Sequence, residues 1–236
     1  MLDTNNNWIN KDRSETDSFR MSDRMIGDIK VSNPALGINV YSNVFNNGKE
    51  LIDILNNKSA STKIYKWSPI KYHIDGKEDN FLRHCTDLKF NKSTLGPVNE
   101  NNSDMHYLYD TVLKYLNVCV QDYSNYWSTS LEYYEIFNFI KYESGIDQFK
   151  IHTDDAKEYS ARTSACIYLN DDYEGGEIGW PRFNLKIKPK AGDIILFPSN
   201  YIYEHETFCV NNGTKYCCVV AMDFSDAAHK GYKGSK

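Results

Sequence analysis

The chain has no long run of lysine and arginine, and its formal net charge is −5. A dedicated nucleic-acid binder held by phosphate contacts needs a basic footprint, so that class is disfavoured. No stretch approaches the roughly 18 apolar residues of a membrane-spanning helix, so no membrane role is expected. The first ten residues are polar and rich in asparagine, without the basic-then-apolar layout of a secretory signal. The six cysteines (Cys85, Cys119, Cys166, Cys209, Cys217 and Cys218) contain no Cys-x-x-Cys pair, which argues against a structural zinc site. With no secretion signal, all six are expected to be reduced and the chain cytoplasmic.

What is present favours strands. The apolar fraction is 41%, slightly low, but 18 tyrosines and 11 phenylalanines supply material for a core. Aromatic and β-branched residues suit sheets better than a helical bundle. The length fits one domain with extensions: a polar arm over residues 1–31, a domain over 32–224, and a small polar tail over 225–236. Ile38, Val40, Tyr41, Val44 and Phe45 suggest a first strand. Leu51, Ile52, Ile54 and Leu55 share one face of a short helix. Ser103 is the expected N-cap of a longer helix, where Met105, Leu108, Val112, Leu116, Cys119 and Tyr123 recur at steps of three and four. After Trp127 the period changes to two. Tyr134 to Lys141 reads as a strand buried on both faces. Short strands separated by turns then run to Phe224, and Cys217 and Cys218 point to opposite faces of the last one. This pattern defines a mainly β fold with flanking helices, closed as a sandwich or barrel.

One spacing carries chemistry. His152 and Asp154 lie two apart on an extended segment, so both face the same side. His205 stands on a later strand that a rolled sheet can bring near. Two histidines and one carboxylate suit Fe(II) and leave coordination positions open. The spacing alone is weak, because His73-Ile74-Asp75 shares it, although Asp75-Gly76 reads as the start of a loop. Lys215 follows His205 by ten residues, across a turn at Asn211-Asn212-Gly213. A hairpin there is expected to bring its ammonium beside His205, where it can hold a dicarboxylate. His84 reads as a partly buried structural histidine.

Taken together, these residues resemble the 2-oxoglutarate and Fe(II)-dependent dioxygenases, in the prolyl 4-hydroxylase branch. The elements are Tyr142-Glu143-Ser144-Gly145, His152-Thr153-Asp154, Arg162 with Tyr168-Leu169-Asn170, Gly175-Gly176-Glu177, the Lys188 to Asp193 turn, Leu196-Phe197, His205 and Gly213-Thr214-Lys215. They span Tyr142 to Phe224, about a third of the chain. The resemblance implies a double-stranded β-helix (jelly-roll) core over about 134–224. It implies Fe(II) on His152, Asp154 and His205, and 2-oxoglutarate held by Lys215 with Tyr168 and Tyr142. It implies Arg162 at the substrate entrance, O2 as oxidant and ascorbate as reductant. Its implied substrate is a peptidyl proline in a protein or peptide.

The departures are Phe149 where relatives often have tyrosine, Ile178 where a threonine is common, and Trp180-Pro181 in place of Phe-Pro. They bear on the pocket's polar detail more than on its chemistry. Two alternatives stay open: the same chemistry on a small molecule, a lysine or a nucleobase, or a non-catalytic jelly-roll binding module.

Overall fold

The computed structural model of the protein describes residues 23–70, 73–74, 77–78, 82–155 and 161–225. Two antiparallel sheets face each other. The larger has ten strands, ordered Arg24–Ile26, Ile29–Ala35, Ile38–Ser42, Ile194–Pro198, Thr163–Tyr168, Thr214–Asp223, Phe137–Glu143, Thr86–Phe90 and Ser68–Pro69, with Tyr133–Tyr134 paired to the end of Thr214–Asp223. The smaller has five, ordered Leu185–Ile187, Ile178–Trp180, His205–Thr207, Gln148–His152 and Arg83–His84. Apart from the hairpins Arg24–Ile26/Ile29–Ala35/Ile38–Ser42 and Ile178–Trp180/Leu185–Ile187, most neighbours in both sheets are far apart in sequence, as expected of a jelly roll.

Period-two alternation assigns the larger sheet's residues to two cores. Phe137, Phe139, Ala165, Ile167, Ile194, Leu196, Cys218 and Val220 face the helices. Ile140, Tyr142, Cys166, Tyr168, Ile195, Phe197 and Cys217 face the smaller sheet. Adjacent Cys217 and Cys218 therefore lie on opposite faces, as expected, and all six cysteines are free thiols. The helix Ser103–Trp127 lies on the outer face of the larger sheet and buries Met105, Leu108, Val112, Leu116, Cys119 and Tyr123 against it. Its stripe was legible because nothing on that face is polar except His106.

Several expectations are corrected. The sheet begins inside the expected arm of residues 1–31, since Arg24–Ile26 and Ile29–Ala35 are strands. The first strand of that reading stops at Ser42, short of Val44 and Phe45. The long helix has Asn102, not Ser103, as its N-cap residue. The expected strand over Tyr134 to Lys141 breaks at Glu135 and Ile136 into Tyr133–Tyr134 and Phe137–Glu143. Asp75, His229 and the tail from residue 226 lie outside the described residues.

Candidate metal and cosubstrate site

His152 ends the strand Gln148–His152, and His205 begins the strand His205–Thr207. The antiparallel register sets the two histidines directly opposite each other. Asp154 follows His152 just past the strand end. Its Oδ1 lies 3.5 Å from His152 Nε2, and its Oδ2 lies 3.7 Å from His205 Nε2. One donor atom from each residue lies within 4.8 Å of the others.

The second ring nitrogen of each histidine is already committed. His152 Nδ1 donates to the Lys150 carbonyl at 2.7 Å, and His205 Nδ1 donates to the Tyr203 carbonyl at 3.1 Å. Those bonds fix a tautomer in which both Nε2 lone pairs point at Asp154, the orientation a metal ligand needs. Burial works to raise the Asp154 carboxyl, but His205, His152 and the Ser164 hydroxyl outweigh it and hold the group well below the usual carboxylate range. Burial pushes the His205 imidazole down to about 4, against the pull of Asp154. Two imidazole Nε2 atoms beside an ionised carboxylate are the donor set that a divalent ion such as Fe(II) takes. The residues present therefore fit the metal that the resemblance implies.

Two side chains that carried no sequence signal complete this end. Ser164 Oγ donates to Asp154 Oδ2 at 2.5 Å and lies 2.8 Å from Ser199 Oγ. Both serines are buried, and Ser164 lies on the inner face of Thr163–Tyr168. Serines in apolar strands read locally as interruptions, and only the tertiary partner explains them.

The same cavity, about 260 Å³, extends from this triad to Lys215. Lys215 is 1% exposed and among the described residues forms no ion pair, since Glu177, whose charge acts on it, pairs with Lys186. Its Nζ donates to the Gly176 carbonyl at 2.7 Å and sits 5.3 Å from the Tyr142 ring centroid and 5.2 Å from that of Tyr168. Burial lowers its pKa from the ordinary lysine value. Gly176 has φ +65, and a Cβ there would lie 2.9 Å from the Tyr173 ring and 3.2 Å from Lys215 Cδ. Glycine thus lets the carbonyl approach the ammonium. Tyr142 stands opposite Lys215 in the register of Phe137–Glu143 against Thr214–Asp223. Both phenols are pushed well above their ordinary value, burial being the main cause, so they stay neutral donors. A buried ammonium lined by phenols is a receptor for a carboxylate.

Two expectations change here. Lys215 does not reach the cavity by hairpin return, because His205–Thr207 belongs to the smaller sheet and Thr214–Asp223 to the larger. The chain crosses between sheets, and the residues converge across the interior. Arg162 does not line the cavity: its Nε lies 3.6 Å from Asp223 and its guanidinium 5.0 Å over the Phe224 ring, with half the side chain exposed. The backbone places Arg162 just before the strand Thr163–Tyr168, where Ser164 takes the inward position. His84 pairs with Asp147, which also accepts from the Glu143 N–H at 2.7 Å, a structural role as expected.

A jelly roll with a His-x-Asp…His face at one end of its cavity and a buried cation at the other is the arrangement that the resemblance to 2-oxoglutarate/Fe(II) oxygenases implies. Residues 137–222, less than half of the chain, match the sequence profile of the 2OG-Fe(II) oxygenase superfamily, the superfamily that the sequence resembles. A 67-residue segment is 39% identical to prolyl 3-hydroxylase 2 of Rattus norvegicus and of Homo sapiens, covering 26% of this chain. That segment is 9% of each relative, so the chain spans a small part of their length. Among solved structures, a prolyl hydroxylase from Trichoplax adhaerens, in complex with a hypoxia-inducible-factor peptide fragment, is similar with a TM-score of 0.61 at 16% identity, covering 85% of this chain and 88% of that one. The viral collagen prolyl hydroxylase of Paramecium bursaria Chlorella virus-1 gives 0.57 at 17% identity, covering 79% and 95%. A prolyl-4-hydroxylase from Pseudomonas putida gives 0.58 at 15% identity, covering 80% and 93%. At these identities the likeness is one of fold.

Proposed function

We propose that the protein is an Fe(II)- and 2-oxoglutarate-dependent dioxygenase that hydroxylates a peptidyl proline. The observation that carries this reading is the shared cavity, with three convergent metal donors at one end and a fully buried lysine at the other. Bound Fe(II) with 2-oxoglutarate and O2 supplies the oxidation, giving succinate and CO2 and placing one oxygen atom in a substrate C–H bond. His152, Asp154 and His205 hold the ion. Lys215 anchors the far carboxylate of 2-oxoglutarate, and Tyr142 and Tyr168 orient it. The apolar walls of the cavity, Ile140, Ile178 and Val219, exclude water. Ascorbate belongs to the proposal as the reductant that returns the ion to Fe(II). Peptidyl proline is supported by the relatives, which carry prolyl 3- and prolyl 4-hydroxylase names, and the carbon attacked is read from the product.

The test is iron-dependent release of succinate in the presence of proline peptides, with mass analysis for one added oxygen. His205→Ala should lose metal binding and succinate release together. Lys215→Ala should keep the metal but need a far higher 2-oxoglutarate concentration, since breaking a buried ion pair costs about 3–5 kcal/mol. Full turnover by His205→Ala would overturn the reading.

A further inference from the structure

One cation of the cavity is left over when the proposed site is assembled. Arg83 lies on the edge strand Arg83–His84, directly opposite Phe149. That register lays its guanidinium carbon 4.3 Å over the Phe149 ring. Phe149 in turn stacks on His152, with centroids 3.4 Å apart and planes 15° apart. Arg83 thus caps a stack that ends on a proposed ligand, and it lines the same cavity as His152, Asp154 and Lys215. Among the described residues its guanidinium makes one hydrogen bond, from Nε to the Cys85 sulfur at 3.4 Å. Among the described residues no carboxylate pairs with it. Two carboxylates around it are taken: Asp87 by Lys89 at 2.9 Å and Asp147 by His84.

The charges sharpen the point. In the proposed complex the two positive charges of the ion and the one on Lys215 are matched by Asp154 and the two carboxylates of 2-oxoglutarate. Imidazoles bound to the ion add no charge. Arg83 is charged at every accessible pH, and among the described residues it forms no ion pair, although Glu135 also lines the cavity. An unpaired charge in that setting is costly, and the guanidinium fork fits a carboxylate in bidentate fashion. Lys215 already serves the cosubstrate from the larger sheet, whereas Arg83 approaches from the edge of the smaller one, on the His152 side. The geometry points to Arg83 as the receptor for a carboxylate on the substrate, so that the preferred substrates are proline peptides bearing an acidic group. This rests on the proposed function and names the substrate class within it. Phe149 then has a purpose as a phenylalanine: it offers the guanidinium a ring face without a hydroxyl that competes for its N–H groups.

The full chain loaded with Mn(II) and 2-oxoglutarate should be titrated with three proline peptides, so that binding is read without turnover. One carries aspartate or glutamate beside the proline and an amidated C-terminus. One is neutral with a free C-terminal carboxylate. One is neutral and amidated. We expect at least one carboxylate peptide to bind about tenfold tighter than the neutral amide, the size of a charge-assisted hydrogen-bonded pair. The arm that gains identifies whether a side chain or a chain end supplies the anion. Arg83→Gln should abolish the preference, and Arg83→Glu should shift it toward a lysine-bearing peptide. Equal affinity of the wild-type protein for all three peptides overturns the inference, and needs no variant to fold. A wild-type preference that survives in Arg83→Gln overturns it too. Failure of the wild-type protein to bind Mn(II) and 2-oxoglutarate at all overturns the proposed function and the inference with it.

Discussion

Asp154 shows how much of a ligand's behaviour is set by its neighbours. One of its oxygens accepts from Ser164, which is itself in contact with Ser199. The Ser164 bond holds Oδ2 on the strand side, while Oδ1 faces His152. The carboxylate is therefore oriented before any ion arrives, and outer groups of this kind tune metal affinity by about 10- to 100-fold. Ser164→Ala should weaken Mn(II) binding by about tenfold, as read by calorimetric titration, while leaving the fold intact. Ser199→Ala should have a smaller effect, because it touches Asp154 only through Ser164. None of this was visible in the sequence. His-x-Asp and Lys215 announce themselves by residue type and spacing, whereas a serine that matters only through a partner ten residues away has no local mark. Arg162 is the opposite case. Its position in a familiar order suggested a residue at the substrate entrance, and its side chain pairs with Asp223.

At the scale of elements, two registers build the site: His152 opposite His205, and Tyr142 opposite Lys215. Elements with a clean period were legible. The helix Ser103–Trp127 was read from its stripe, and Thr214–Asp223 from its apolar run. Thr86–Phe90 was not, because Asp87 and Lys89 form an ion pair there, leaving only Leu88 and Phe90 to signal a strand. Ile29–Ala35 was missed for a similar reason: it carries Asn33, buried against Asn39, and Pro34. Convergence of Lys215 with His205 was anticipated, but by hairpin rather than by crossing between sheets. A ten-residue separation cannot distinguish the two. The helix supplies none of the described residues that line the cavity. Leu116 is fully buried against the larger sheet on the side away from the cavity. Leu116→Ala should cost about 2–5 kcal/mol, seen as a lower denaturant midpoint at unchanged slope, with Mn(II) affinity of the folded protein nearly the same.

At the scale of the whole molecule, the cavity joins the two sheets. His152 and His205 come from the smaller sheet, while Lys215, Tyr142, Tyr168 and Ser164 come from the larger. Metal alone ties down the smaller sheet and the segment after His152, touching the larger sheet through Asp154 on Ser164 and His205 on Phe197. A dicarboxylate reaching from the ion to Lys215 spans both sheets. Ligands that bind only the folded state stabilise it by mass action, about 2.7 kcal/mol at a hundred times the dissociation constant. For a domain of this size that corresponds to a rise in melting temperature of roughly 5–10 °C. Mn(II) with 2-oxoglutarate should therefore give a larger rise than Mn(II) alone in a thermal melt. The variants should separate the contributions: Lys215→Ala should keep the response to Mn(II) and lose the increment from 2-oxoglutarate, whereas His205→Ala should lose both, since the cosubstrate then has neither an ion to chelate nor a complete cavity. A 2-oxoglutarate increment that persists in His205→Ala would mean that Lys215 alone binds the dicarboxylate, and that the two ends of the cavity act independently rather than as one site bridging the sheets.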